Sequence, residues 1–125
     1  MSKRLPRVYL QALLLCAPLV VGAQAAHAGE IKVDMKDMKR AMQGAMASTS
    51  IPELSRYVAQ LEKDADQASR QPYRDDQATY DEGMQKLKLQ LAATDEAIRA
   101  NDMAAAKQAL RTINATRKHY HDLLN

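Results

Sequence analysis

The chain of 125 residues contains no tryptophan, no phenylalanine and one cysteine. Each shortage removes a class of explanation. Cys16 lies inside an apolar run near the N-terminus, and beyond it no thiol is left for a disulfide, a zinc–thiolate site or a cysteine-attached cofactor. The lack of Phe and Trp, with few β-branched runs, argues against a sheet. No glycine-rich phosphate loop and no nucleophile–base pair stand in the sequence, so hydrolytic chemistry has no residues to carry it.

The first residues read as an address. Lys3, Arg4 and Arg7 precede an apolar run from Val8 to Ala23, and Ala26-His27-Ala28 supplies a small-x-small cleavage pattern. The run falls short of the roughly 20 residues a membrane span needs. A lipid-bearing Cys16 is disfavoured by Leu15 before it and by Pro18, Leu19, Val20 and Val21 after it. Residues 1–28 are therefore expected to be a cleavable secretory signal, and residues 29–125 one exported domain in the periplasm.

Charge follows the same division. The chain has 18 Lys and Arg against 15 Asp and Glu, and the three basic residues of the leader account for the whole excess. The remainder is neutral, so the pI of about 9.1 makes no case for nucleic acid or an anionic membrane. Exposed Lys, Glu and Gln faces suit a monomer.

An Ala-, Lys-, Gln-, Met- and Leu-rich composition favours helix. Apolar residues recur at steps of three and four in four segments. The first has Ile31, Met35, Met38, Met42 and Ala45; the second has Leu54, Val58, Leu61, Ala65 and Ala68. Tyr80, Met84, Leu87, Leu91, Thr94 and Ile98 mark the third. The fourth has Met103, Ala106, Leu110, Ile113, Arg117, Tyr120, His121 and Leu124. Turn chemistry separates them: Ser50 with Glu53 as a capping box, Pro52 in a first turn, Pro72 with the polar stretch to Gln77, and Asn101-Asp102. The expectation is an all-α, antiparallel up-down-up-down four-helix bundle, with the first helix starting near Ile31.

Function is sought in the residues that break the apolar stripes. His121 lies about 20° from Leu110 around the helix, inside the stripe, whereas His119 points the opposite way. In this topology the start of the first helix and the end of the fourth share one end of the bundle. Met35 and His121 are then expected to face each other at similar depth, as the axial ligands of a flat haem would. At that level the second helix thins to Ala65 and Ala68, and Tyr80 and Met84 offer flat or pliable walls. Arg117, one turn from His121, could meet a propionate. Each residue also has a plain structural reading: core methionine, dipole-complementing histidine, snorkelling arginine, close-packing alanine. Their coincidence at one end is what points to a ligand.

These residues resemble the soluble periplasmic cytochrome b562 family. The similarity rests on Gly29-Glu30-Ile31-Lys32-Val33-Asp34-Met35, on Thr116-Arg117-Lys118-His119-Tyr120-His121, and on Tyr80-x-x-Gly83-Met84. It implies Met35 and His121 as axial ligands of one non-covalent haem, with Arg117 beside it and Tyr80 and Met84 as walls. Met84 stands where the family usually has a second aromatic, and the loop between the second and third helices is shorter than usual. With no Cys-x-x-Cys-His in the chain, the haem is expected to be b-type.

The implied activity is outer-sphere electron transfer with periplasmic redox proteins. It is not enzymatic turnover, since both axial positions would be filled. Two rivals remain. Met35, Met38, Met42 and Met46 could offer thioethers to copper(I), or the bundle could be a haem-free interaction module.

Overall fold

The computed structural model describes residues 22–124, with side chains from Ile31 onward. Among the described residues the chain forms four helices: α1 (Gly22–Ala47), α2 (Ile51–Ser69), α3 (Gln77–Arg99) and α4 (Met103–Leu124). The expected secretory signal lies largely outside the described residues; only residues 22–28 of it fall within α1. The helix starts at Gly22 and not near Ile31, because Ala23, Gln24, Ala25 and Ala26 favour helix and no proline intervenes. No described helix is long and apolar enough to cross a membrane.

The connections are short and chemically defined. Ser50 caps α2, its Oγ accepting from the Glu53 N–H at 3.3 Å, and Pro52 occupies the first turn, where an N–H has no helical partner. Asp76 caps α3 by accepting from the Thr79 N–H at 3.1 Å, and hydrogen bonding to Thr79 lowers the Asp76 carboxyl pKa. At the third turn Asn101 adopts a left-handed φ of 58°, and Asp102 caps α4 through the Ala105 N–H at 3.0 Å. Consecutive helices therefore run antiparallel. Lys107 of α4 donates to the Ser48 carbonyl at 2.6 Å, which fixes the start of α4 beside the end of α1.

Packing is uneven around the bundle. The pairs α1/α2 and α3/α4 lie close along their lengths and α2/α3 joins them, while α1 and α4 meet weakly. A glycine sits in each close pair. A Cβ on Gly44 would come within 2.2 Å of the Tyr57 ring, and one on Gly83 within 2.9 Å of the Tyr120 ring. Each glycine thus lets an aromatic from the neighbouring helix lie against the backbone.

The core largely follows the predicted stripes. Leu54, Val58, Leu61, Ala65 and Ala68 of α2 are all buried, as are Tyr80, Met84, Leu91 and Thr94 of α3. On α1 the buried line is Asp34, Met38, Ala41 and Ala45, so Met35 and Met42 sit half-buried at its edge. On α4 burial stops at Ile113.

A candidate cofactor seam between α1 and α4

Tyr80 organises the end of the bundle where α1 enters and α4 finishes. It is 3% exposed and donates its hydroxyl to the Ala68 carbonyl, closing over the last turn of α2. Part of the room expected above Ala65 and Ala68 is therefore filled by this phenol. The Tyr73 ring stacks on it, with centroids 5.1 Å apart and planes within 1° of parallel. The Tyr73 hydroxyl donates to the Leu124 carbonyl at 3.1 Å, tying the α2–α3 connection to the last turn of α4. Burial raises the Tyr80 pKa to about 12, with the charges of Asp34 and Asp81 and the Tyr73 ring adding to it. Asp34 precedes Met35, and Tyr120, which lies on Gly83, precedes His121. The residues flanking Met35 and His121 thus converge on one region, as the topology required.

The individual positions correct two expectations. His121 and Arg117 were expected inside the buried stripe; both are exposed. They lie within about 20° of Leu110 around the helix, and Leu110 is 0% exposed. Azimuth is shared, so the difference lies in what stands opposite. Leu110 lies in a core built by all four helices, whereas α4 has no fully buried described residue beyond Ile113, and α1 and α4 meet weakly. Arg117 donates from Nε to the Asn114 Oδ1 at 3.2 Å, and His119 is exposed as expected.

Tyr80 and Met84 are buried, at 3% and 7% exposure, and Met35 is half-buried against the core. Met38 is buried, and Met42 and Met46 pack against the same core, so the methionines of α1 serve packing first. Sequence reasoning missed three contributors: Tyr73, Tyr120 on Gly83, and the buried Asp34. The signal for Tyr120 was available, since Gly83 inside a helix marks a close approach. Nothing local distinguishes Tyr73, whose role depends on a contact 51 residues away.

The donor set suits a haem. A thioether, Met35, lies on α1 and an imidazole, His121, on α4, two helices that meet weakly. The imidazole and a guanidinium hold core azimuths yet are exposed, while Tyr80 and Met84 belong to the core. Thioether and imidazole are both ligand types that would hold a haem iron. The family model described as cytochrome b562 matches residues 30–125. No curated protein and no solved structure matches the chain.

Proposed function

The chain belongs to the cytochrome b562 family of haem electron carriers, and on that footing we propose that it holds one non-covalent b-type haem between Met35 and His121. The observation that carries this reading is the pairing of burial and azimuth on α4. Leu110 is buried on the same stripe that carries His121 and Arg117, yet both of these are exposed, and α1 and α4 meet weakly. Met35 lies at the edge of the core on α1.

The haem supplies a one-electron iron couple whose potential a thioether ligand raises relative to bis-histidine ligation. The protein's part is placement. Met35 and His121 would hold the iron, Arg117 would compensate a propionate, and Tyr80 and Met84 would form the inner wall. Tyr80 is anchored twice, by its bond to the Ala68 carbonyl and by the Tyr73 ring, which keeps that wall fixed. With Met35 and His121 both engaged, the haem would supply one-electron exchange with a redox partner and offer no open iron position to a substrate. Residues 1–28 act as the export signal, and the mature chain works in the periplasm as a monomer.

An absorption spectrum of the exported protein, oxidised and then dithionite-reduced, tests this. Sharp reduced α and β bands are expected in the parent protein. Loss of those bands is expected in His121→Ala, and a high-spin, readily autoxidised form in Met35→Ala. An unchanged low-spin spectrum in either variant would remove that residue as a ligand.

A further inference from the structure

The neutral mature chain is electrically polarised across the bundle. Residues 29–47 and 103–125, which hold α1 and α4, contain eight Lys and Arg against four Asp and Glu. Residues 48–102, with α2 and α3, contain seven against eleven. One side is positive by four charges and the other negative by four. Since α1 packs on α2 and α4 on α3, these are opposite sides of the molecule.

The positive side is more basic at its surface than the count suggests. Lys32, Lys36, Lys39 and Arg40 are exposed on the outer face of α1, within an arc of about 100°. The carboxylates between them are turned away: Asp34 is buried and Asp37 half-buried. On α4, Arg111 and Arg117 hydrogen-bond the neutral amide oxygens of Gln108 and Asn114, so neither bond offsets their charge. On the opposite side Asp66 pairs with both Arg70 and Lys88. One exposed apolar side chain, Val33 at 56%, lies on α1 among the basic residues. Apolar contacts within a charged rim are the make-up of a transient protein interface.

We propose that the α1/α4 side is the docking face for an acidic electron-transfer protein, with Lys36, Lys39 and Lys118 steering the encounter. This rests on the haem reading above, because it takes its meaning from the two helices that carry Met35 and His121. A neutral protein with a dipole along the line of approach is oriented by an acidic partner without being held by it, which suits repeated transfer. The neutral charge of residues 29–125 gives an extended polyanion, a membrane or a nucleic acid, little overall attraction, and binding to one would need the positive side alone to outweigh the negative one. A compact acidic protein can meet the positive side alone.

Two measurements on the parent protein and on Lys36→Glu/Lys39→Glu decide the matter. These residues lie on the exposed face of α1, outside the proposed ligand set. The first maps amide line-broadening by hexacyanochromate(III), a redox-inert paramagnetic trianion, on the reduced haem protein and on the haem-free chain. Broadening is expected on α1 and α4 and not on α2 and α3, with most of it lost in the variant. Even broadening, or broadening centred on α2 and α3, overturns the proposal. The second follows oxidation of the reduced protein by ferricyanide. The rate is expected to fall roughly threefold or more between low salt and about 0.3 M, and to lose or reverse that dependence in the variant. A parent rate indifferent to salt and to the variant overturns the docking face while leaving the haem reading intact. Failure to take up hemin removes the reading and this proposal together. Sedimentation with phosphatidylglycerol vesicles overturns it in favour of a membrane surface.

Discussion

The two halves of α4 share one helix and one stripe, yet only one half is buried. Ala106, Leu110 and Ile113 sit at 0–2% exposure, while Arg117 and His121, two and three turns on from Leu110, are exposed. In the first half, apolar side chains from four helices meet around Leu54, Val58 and Ala45. In the second, α4 is held by α3, through Tyr120 on Gly83 and Gln90 Nε2 donating to Thr116 Oγ1 at 2.8 Å, and by the Tyr73 hydroxyl on the Leu124 carbonyl. A helix does not bury a face by presenting it; the opposing surface must close on that face. The lesson is that a bundle can reserve a seam by putting cationic and imidazole side chains where leucine would seal it.

The comparison breaks most readily by truncating both halves. Leu110→Ala should cost about 2–5 kcal/mol, the range for a leucine deleted from a packed core. His121→Ala in the haem-free chain should stay within about 0.5 kcal/mol, as for an ordinary exposed site. Urea denaturation of the two haem-free variants measures both. Equal losses would mean that azimuth alone decides, and that the seam is as closed as the core.

A smaller effect separates the two helix-pairing glycines. Alanine at Gly83 would press on Cβ, Cγ and Cδ1 of Tyr120, the root of the side chain, which has little freedom to move. Alanine at Gly44 meets the outer ring atoms of Tyr57, a side chain 38% exposed and able to swing aside. Overpacking costs about 1–3 kcal/mol, against about 1 kcal/mol gained in helix propensity. Gly83→Ala should therefore be destabilising by about 1 kcal/mol and loosen α4 near His121, whereas Gly44→Ala should be near neutral. Thermal unfolding and amide exchange of the last α4 turns distinguish them.

Much of this was legible in the sequence, and the reasons are physical. Helices, caps and the α2 stripe depend on neighbours within four residues, so spacing and turn chemistry reveal them. Met35 and His121 could be brought to one end because up-down-up-down connectivity sets which termini meet. Burial at Arg117 and His121 was not legible, because it depends on whether α1 reaches α4, a matter of tertiary closure. The shift of the α1 stripe onto Asp34 and Ala41 has the same cause: α1 packs against α2, and that contact selects the inward face. Tyr73 was missed because its stacking and its bond to Leu124 exist only after the chain has folded back.

The smallest expected effect tests a polar site on the packed side. Glu62, half-buried on α2, has its carboxyl pushed up to about 7 from an ordinary 4.5. Burial is the largest cause; a hydrogen bond to Asp95 and its negative charge add to it, and Arg99 pulls the other way. Its Oε1 is buried with no hydrogen-bond partner. Between those pH values the folded chain holds a proton that the unfolded chain has released. Stability should therefore fall as pH rises from about 4.5 to about 7, and this contribution should be constant above that. The drop should be on the order of 1 kcal/mol or less, because solvent screens a half-exposed group. Urea midpoints across this window should slope in the parent protein and flatten in Glu62→Gln. A slope that persists in the variant would move the cause to Asp64, a buried carboxyl on the same helix whose pKa burial also raises. Either way the pH dependence belongs to the carboxylates that α2 carries into the packed side of the bundle.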